Sequence, residues 1–563
     1  MSTTIAPERL ALQCLYYWET SHAHHVTLTQ PMGNGQVRDF TWGQVADETR
    51  RMAQWLKSQG WPEGSKVAIL SKNCAWWLMT DLAIWMAGYV SVPLYPTLAA
   101  GTITQILEHS EAKMCFVGKL DGWEGMKPGI PADMRCVSYS LSPDDAKRAY
   151  QSWDEIIADT PPLQGNPVRA ADELATLIYT SGTTGAPKGV MHTFGNFAWA
   201  LTAGLGRISM GMNDRMLSYL PLAHVVERCL VEHGWLITGM HVYFAESLET
   251  FTQDLQRARP TVFFSVPRLW VKFQQGILAK MPQAKLNRLL SIPILNWIVK
   301  RKIRKALGLD ACQFAAGGAA PMPPDLLRWY RRIGLPINEG YGMTENLAVS
   351  NITINGEDMT GTVGPGYDGV QIRIDKKTGE LQMTSPAVMK GYYKEPELTR
   401  EAFTEDGWLK TGDKASRDER QCIRITGRVK DLFKTSKGKY VAPAPIEDKL
   451  VMHGAVEACA VVGANMGQPL GLGMLGPDAV KQLETPEQAA ELKASLEAHL
   501  KAINEKLDPH EQMDCLVLFK QPWTVENGFI TPTFKVKRNV IDDTYGTRYE
   551  KWAESRQKII IEG

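Results

Sequence analysis

Short apolar strands alternate with helix-patterned segments through the first half of the chain, and this alternation limits the fold more than any other feature. Val67-Ala-Ile-Leu70, Val90-Ser-Val-Pro-Leu94 and Met114-Cys-Phe-Val117 are short, apolar runs typical of buried strands. Trp42 to Gln59 and Trp76 to Met86 have the spacing of helices. Strands joined in this way form parallel sheets covered on both faces. The pattern predicts the α/β class, with a large N-terminal domain of layered α/β sheets.

Composition excludes several classes of function. The 563 residues include 62 Lys and Arg against 61 Asp and Glu, so bulk charge does not favour a nucleic-acid partner. The nine cysteines are scattered and form no CxxC pair, which argues against a disulfide scaffold or zinc site and favours a reducing cytoplasm. The longest uncharged run, Leu82 to Leu107, contains glycine and proline and does not resemble a membrane span.

A change in local composition near Gly427 suggests a domain boundary. After it, Lys, Gly and Pro cluster, as in Lys434-Thr-Ser-Lys-Gly-Lys-Tyr440. We therefore predict an N-terminal domain over residues 1–428 and a C-terminal domain over residues 429–563, which is a normal size for a small domain.

One segment of eleven residues concentrates phosphate-binding groups. It is Tyr179-Thr-Ser-Gly-Thr-Thr-Gly-Ala-Pro-Lys-Gly189, and it follows an apolar, strand-like run. Its glycines permit turns that point several amides at one anion, its hydroxyls add donors, and its lysine adds positive charge. The GxxxxGK(S/T) pattern of a strand-to-helix P-loop is absent from it. The alternatives are a polyphosphate cradle and a flexible surface hairpin, and the composition favours the cradle.

A second cluster combines small residues with a Gly-Tyr-Gly turn. Its two stretches are Phe314-Ala-Ala-Gly-Gly-Ala-Ala-Pro321 and Asn338-Glu-Gly-Tyr-Gly-Met-Thr-Glu345. Small side chains let a flat ligand approach the backbone, and Tyr341 offers a ring for a purine. Thr344 is a candidate donor to phosphate, and Glu345 is a candidate ligand for a hard cation such as Mg²⁺. A Gly-Tyr-Gly turn is common by itself. The interpretation as a nucleotide site therefore depends on the presence of the glycine-rich segment in the same chain.

A third cluster joins Trp408-Leu-Lys-Thr-Gly-Asp413 to Ile425-Thr-Gly-Arg-Val-Lys-Asp431. We expect Asp413 at a turn, where its carboxylate can accept both hydroxyls of a ribose and Arg428 can donate to them. The alternative is a turn aspartate paired with a surface arginine, and the third cluster alone favours that alternative.

Together the three clusters resemble the adenylate-forming (AMP-binding) superfamily of acyl-CoA synthetases, luciferases and peptide-synthetase adenylation domains. The resemblance extends from about Phe40 to Val540 and is closest to the long-chain fatty acid–CoA ligases. The stretches that carry this closer resemblance are Leu220-Pro-Leu-Ala-His-Val-Val-Glu-Arg228, Phe244-Ala-Glu-Ser-Leu248, Ser265-Val-Pro-Arg-Leu-Trp270, residues 433–447 and residues 529–538. The resemblance implies a smaller, mobile α+β C-terminal lid domain, and it implies ATP, Mg²⁺ and CoA as cofactors and co-substrates.

The same resemblance implies roles for individual residues. The ATP phosphates would be held by Ser181, Gly182, Thr183, Thr184, Gly185 and Lys188, of which Thr184 and Lys188 would also act in catalysis. Thr180 and Glu345 would share Mg²⁺. The adenine slot and its phosphate side would be lined by Gly318, Ala319, Ala320, Glu339, Gly340, Tyr341, Gly342 and Thr344. Asp413 and Arg428 would bind the ribose.

The remaining implied roles concern the acyl group and the lid. His224 would lie where the carboxylate meets the pantetheine tunnel, and Lys535 would bridge the carboxylate and the α-phosphate. Lys537 is an alternative to Lys535, because Phe534 replaces the glycine that most relatives have before the lysine. Lys430 would be the hinge of the lid and would also contact the nucleotide. Some long-chain members gate the acyl tunnel with a tryptophan four residues after the histidine, a position that is Arg228 here.

Three further expectations remain. Trp235 is either the missing gate or a core residue. Alternate glycines between Gly463 and Met474 predict a weak strand. The segment 289–307, which is apolar and then basic, is either a peripheral membrane contact or a buried helix followed by a solvated one.

The function predicted on these grounds is ATP-dependent activation of a long-chain fatty acid to acyl-AMP, followed by transfer to CoA. The alternatives are a ligase for medium-chain or other carboxylic acids, an enzyme that loads a carrier-protein pantetheine, and a binding protein on this fold without catalysis. Intact Lys188, Glu345, Asp413 and Lys535 argue against the last. The predicted location is the cytoplasm, with contact at the inner face of a membrane as an option.

Overall fold

A computed structural model describes residues 9–181, 187–525, 527–531 and 535–563, with only the backbone of Ser181. Its largest sheet has eight strands and lies at the centre of the N-terminal half. In spatial order these strands are Gly391–Tyr392, Pro187–Thr193, Leu174–Ser181, Val90–Leu94, Lys66–Leu70, Met114–Val117, Arg135–Ser138 and Gln151–Ser152. The six from Leu174–Ser181 to Gln151–Ser152 run parallel to one another, which confirms the predicted class.

Helices pack against this sheet through their apolar residues. In most of them the apolar residues form one face, and in Ala75–Met86 they lie on every side of the helix. The helix Trp42–Ser58 starts with a capping box in which Thr41 and Gln44 satisfy each other's backbone N–H groups. Every residue of the helix Ala75–Met86 is buried, so that helix lies inside the domain.

Two four-stranded sheets extend the N-terminal half. The first consists of Arg215–Ser218, His241–Phe244, Val26–Gly33 and Gln36–Thr41. The second consists of Val262–Ser265, Phe314–Gly317, Ile337–Tyr341 and Asn351–Ile352. The loops that follow Phe314–Gly317 and Ile337–Tyr341 leave the same edge, because these strands are parallel.

An antiparallel sheet follows in the chain and leads to the predicted boundary. Its strands are Gln371–Ile374, Glu380–Thr384, Leu409–Arg417 and Ile423–Arg428. A two-stranded ribbon comes next, formed by Phe433–Lys434 and Tyr440–Val441.

The last sheet lies entirely within the C-terminal residues. Its strands are Val456–Val462, Leu470–Leu475, Leu516–Phe519 and Ile559–Glu562. The expectation of a weak strand is wrong, because Leu470–Leu475 is buried along its whole length and pairs on both sides. Gly473 leaves room for a neighbour, since a Cβ atom there would come within 3.1 Å of Leu518 Cδ2.

The helices complete the layers. The α-helices are Ala11–Ser21, Trp42–Ser58, Ala75–Met86, Ala100–Ser110, Trp123–Met126, Asp144–Ala149, Trp153–Asp159, Phe194–Leu205, Val225–Glu227, Gly234–Thr238, Phe251–Ala258, Pro267–Lys280, Gln283–Leu290, Pro293–Ala306, Pro324–Arg332, Pro396–Ala402, Ala444–Leu450, Pro477–Gln482, Pro486–Asn504, Arg538–Tyr545 and Tyr549–Glu554. The other helices are one π-helix, Arg228–His233, and the 3₁₀ turns Lys127–Gly129, Thr344–Asn346 and Gly546–Arg548. Among the helices of the described residues, none combines the length and hydrophobicity that crossing a membrane requires.

Candidate active site

The glycine-rich segment connects two antiparallel strands at one side of the central sheet. Thr180 near the end of one strand lies opposite Lys188 near the start of the next. The ammonium of Lys188 lies 5.5 Å from the ring centroid of Tyr392, on the neighbouring strand. The side chain of Ser181 and the predicted phosphate-binding residues Gly182, Thr183, Thr184 and Gly185 lie outside the described residues.

Glu345, the candidate cation ligand, is held from two sides. The hydroxyl of Tyr392 donates to Glu345 Oε1 at 2.8 Å, and the backbone N–H of Met389 donates to the Glu345 carbonyl at 2.7 Å. Burial and the neighbouring carboxylate raise the pKa of Tyr392, so this hydroxyl keeps its proton and remains a donor. Sequence reasoning missed Tyr392, which joins the candidate metal ligand to the strand of Lys188.

The loop that contains Glu345 is also fixed from the central sheet. His192 Nε2 donates to the Thr344 carbonyl at 2.7 Å, and burial lowers the pKa of His192 to about 4, which leaves the ring neutral. His192 was not predicted as a site residue, and it follows Lys188 by four residues on the same strand.

The predicted adenine slot has the tight backbone that a flat ligand needs. Gly318 is buried, and a Cβ atom there would come within 2.8 Å of the Gly340 carbonyl oxygen. A Cβ atom on Gly342 would come within 2.4 Å of the Ala348 backbone. Ala319 has a φ of +68°, and it is exposed, as is Ala320. Larger residues at the two glycines would therefore require the backbone to shift.

Asp413 lies within a strand and not at the predicted turn. It pairs with Arg428 across the antiparallel strands, and Arg428 Nε lies 3.1 Å from Asp413 Oδ1. The hydroxyl of Tyr341 donates to the other carboxylate oxygen at 2.6 Å. The turn-like signal came from Gly412, whose φ of +73° bends the strand just before the aspartate. The second and third sequence clusters therefore meet at Tyr341, Asp413 and Arg428.

Glu339 has a different environment from the other predicted contacts. It is buried, and its Oε1 atom accepts from the backbone N–H of Met322 at 3.3 Å. Burial raises its pKa to about 8, with a smaller contribution from Asp448 of the C-terminal residues. The Glu339 side chain is therefore largely protonated at neutral pH and is a poor candidate for binding a cation.

His224 is the N-cap residue of the short helix Val225–Glu227. Its Nδ1 atom accepts from the backbone N–H of Val226 at 3.3 Å. Burial lowers its pKa to about 4, and the positive charge of Lys535 adds to this effect. Because the ring is neutral and Nδ1 accepts, the proton lies on Nε2, which leaves that atom available as a donor.

Lys535 brings the C-terminal residues to this site. Protein atoms around its ammonium lower its pKa even though the residue as a whole is exposed, and the charge of Arg428 lowers the pKa further. The carboxylates of Asp413 and Glu345 oppose this decrease. Lys535 therefore lies within electrostatic range of groups from the second and third sequence clusters and of His224.

Lys537, the alternative to Lys535, has another environment. It precedes the helix Arg538–Tyr545, and its backbone N–H donates to the Phe529 carbonyl at 2.8 Å. The choice of Lys535 over Lys537 stays a prediction.

The position that carries the tryptophan gate in some relatives contains a buried ion cluster. Arg228 is fully buried and pairs with Asp81 and with Glu232, which lies 3.1 Å away, while its guanidinium donates to Thr176 at 2.9 Å. Arg228 also begins the π-helix, a geometry that often occurs at functional sites. Trp235 is buried and stacks on Trp42 with ring centroids 4.6 Å apart, so it is a core residue.

The chain belongs to the AMP-binding enzyme family, whose model matches residues 17–393. It is 30% identical to a long-chain fatty acid–CoA ligase of Mycobacterium bovis over 92% of this chain and 93% of that protein. It is 29% identical to the peroxisomal long chain acyl-CoA synthetase 6 of Arabidopsis thaliana, over 90% of this chain and 80% of that protein.

A solved structure shares the fold. It is the A domain of a carboxylic acid reductase from Segniliparus rugosus, in complex with AMP and a co-purified carboxylic acid. The TM-score is 0.80 at 22% identity, over 97% of this chain and 94% of that one.

Proposed function

We propose that this protein is an ATP-dependent long-chain fatty acid–CoA ligase. It would convert the fatty acid to acyl-AMP with release of pyrophosphate, and then transfer the acyl group to CoA. The observation that carries the proposal is that Lys535 lies within electrostatic range of Glu345, Asp413, Arg428 and His224. These residues provide an ammonium, two carboxylates, a guanidinium and a neutral imidazole. Groups of these kinds can hold a nucleotide beside a carboxylic acid.

The residues at the site fit the nucleotide. Asp413 offers two carboxylate oxygens to the ribose hydroxyls, and Tyr341 and Arg428 fix their orientation. The close approach of Gly318 to Gly340 gives the adenine a flat backbone surface. Lys188, together with Ser181, Gly182, Thr183, Thr184 and Gly185, would hold the phosphates, and Thr184 and Lys188 would stabilise the charge on the transferring group.

Glu345 and Thr180 would hold Mg²⁺ with the ATP phosphates. A magnesium ion held by one or two protein oxygens and substrate phosphates needs no larger cage, and the described part of the chain contains no group of three or more metal-binding side chains. When bound, the ion supplies positive charge to the phosphate oxygens.

Attack of a carboxylate on the α-phosphate brings two anions together. Lys535 would neutralise the charge that develops between them, and the neutral His224 would donate from Nε2 to the carboxylate. Donors aimed at developing charge accelerate such a step strongly. AMP then leaves when the CoA thiol attacks the acyl carbon, so the protein needs no nucleophile of its own.

The C-terminal domain, residues 429–563, would move about Lys430 between the two half-reactions. Val429 N–H donates to Gly412 of the preceding sheet at 2.8 Å, whereas the carboxylate of Asp431 lies 3.4 Å from Arg538 of the C-terminal domain. Lys430 is exposed between these two attachments. A single residue between differently anchored neighbours is suited to a hinge.

A ladder of fatty acids tests the proposed function. Pyrophosphate release should be greatest with long-chain acids, and mass spectrometry should find acyl-CoA and AMP only when CoA is present. Acyl adenylate that CoA does not consume would contradict a CoA ligase and indicate a carrier protein as acceptor. A maximum at medium-chain or aromatic acids would contradict the long-chain assignment alone.

Replacing Tyr392 by phenylalanine should weaken binding of the divalent cation. Without its hydroxyl, Glu345 loses the 2.8 Å hydrogen bond that orients it, and such outer-sphere losses typically cost about 10–100-fold in metal affinity. Titration of Mn²⁺ with a non-hydrolysable ATP analogue, followed by electron paramagnetic resonance, measures this without turnover. Tyr393→Phe is the matched control, and equal Mn²⁺ affinity in Tyr392→Phe and wild type would contradict the role.

We propose the cytoplasm as the site of this activity, with small-molecule substrates as its main partners.

A further inference from the structure

The segment from Leu255 to Leu309 has an extreme charge. Its 55 residues contain twelve Lys and Arg and no Asp or Glu. Because the whole chain has a net charge of only +1, the other 508 residues carry −11. This segment therefore has a large net positive charge, whereas the rest of the chain taken together is net negative.

An exposed apolar apex lies within this basic segment. Ile294 is 76% exposed and Trp297 is 63% exposed, one turn apart on the helix Pro293–Ala306, and Ile292 just before it is 44% exposed. Val299 and Ile303 on the opposite face are buried in the core. The helix is thus anchored by one side and presents isoleucine and tryptophan to the outside on the other.

Basic side chains without an ion-pair partner flank the apex on both sides in the sequence. Within the described residues, no salt bridge involves Lys280, Lys285, Arg288, Lys300, Lys302 or Lys305. By contrast, Arg257, Arg259 and Arg268 at the start of the segment pair with Asp254, Asp310 and Glu457. The guanidinium of Arg301 lies 5.4 Å from the ring centroid of Trp297, which joins the apex to the basic rim.

We propose that this surface, formed by the Ile292–Trp297 apex and its basic rim, docks on the anionic face of a lipid bilayer. A bilayer offers hydrocarbon to the isoleucines, an interface to the amphipathic indole and negative headgroups to the lysines. A second copy of this chain would oppose the rim with like charge. The inference does not depend on which acid is activated, so it stands or fails separately from the proposed function.

Vesicle flotation of the full-length protein tests the proposal. Wild type should float with vesicles of phosphatidylcholine and phosphatidylserine, remain unbound with phosphatidylcholine alone, and dissociate as salt is raised. Ile294→Ser/Trp297→Ser and Lys302→Glu/Lys305→Glu should each reduce the bound fraction at least about tenfold. Lys376→Glu/Lys377→Glu, which makes the same charge change on an exposed turn elsewhere, should bind as wild type does.

Other outcomes would overturn the proposal. They are absence from both floating fractions, equal flotation with neutral and anionic vesicles, or unchanged binding by the apex and rim variants. A lower oligomeric mass of Ile294→Ser/Trp297→Ser without vesicle binding would reassign the surface to contact between copies. Binding of an acidic carrier protein without vesicle binding would reassign it to that partner. Unchanged circular dichroism and fatty-acid-dependent pyrophosphate release in solution would show that the variants are folded.

Discussion

Replacing Lys535 by alanine is expected to lower the rate of acyl-adenylate formation by roughly 10²–10³-fold, the usual cost of removing one well-placed donor to developing charge. The ammonium of Lys535 lies within electrostatic range of Asp413, Glu345, Arg428 and His224, and Arg428, the other cation among these groups, is paired with Asp413. Fatty-acid-dependent exchange of pyrophosphate into ATP measures the step directly.

Two controls separate a catalytic effect from a structural one. Lys537→Ala should retain adenylation, because its neighbours are those of a helix start and not of the site. In Lys535→Ala, supplied acyl adenylate should still react with CoA at nearly the normal rate if the lysine acts only in the first half-reaction. Full adenylation by Lys535→Ala would contradict the assignment, and loss of both half-reactions would indicate damage to the C-terminal domain.

Local sequence signals predicted the strands and helices near the site well. Val90–Leu94 and Met114–Val117 have the predicted bounds, because strands buried on both faces are continuous apolar runs. Glycine was less reliable as a signal. In Thr411-Gly412-Asp413 it bends a strand, and in Leu470–Leu475 it makes room for a neighbouring side chain. Whether a glycine bends a strand or makes room for a neighbouring side chain depends on tertiary contacts, and a local sequence pattern does not show those contacts.

Contacts between distant residues explain what sequence reasoning missed at the site. The Glu345–Tyr392 hydrogen bond spans 47 positions, and the Arg228–Asp81 ion pair spans 147. A single sequence shows the residue types but not which distant residues pair. It therefore offered no reason to assign a role to Tyr392, and at Arg228 it showed only that the tryptophan of some relatives is absent. The i,i+4 spacing of Arg228 and Glu232 in an apolar stretch was a local signal of buried charged residues in contact.

Arg228→Met should destabilise the protein by about 3–5 kcal/mol, because removing one partner leaves buried charge or desolvated carboxyl groups behind. Asp81, Arg228 and Glu232 are all fully buried. Burial raises the pKa of Asp81 and raises that of Glu232 more strongly, so Glu232 is the carboxyl group that more readily holds a proton, and Arg228 chiefly balances the charge of Asp81. The rings of Trp77, Trp85 and Phe197 surround the guanidinium at 5.3–5.8 Å and provide no hydrogen-bonded replacement.

The midpoints of thermal and urea unfolding measure this loss, and a second substitution tests its cause. Arg228→Met/Asp81→Asn should recover much of the stability, since neither charge remains. The exposed pair Arg400–Glu397 provides the matched control, and Arg400→Met should change stability by less than about 1 kcal/mol. Burial already raises the pKa of Asp81 in the folded wild type, and the loss of the Arg228 charge in Arg228→Met raises it further. The folded state then binds a proton more tightly, so the deficit should be smaller at about pH 5 than at about pH 8. A loss that is independent of pH and is not recovered by Asp81→Asn would mean that packing around the π-helix, and not buried charge, is what Arg228 maintains.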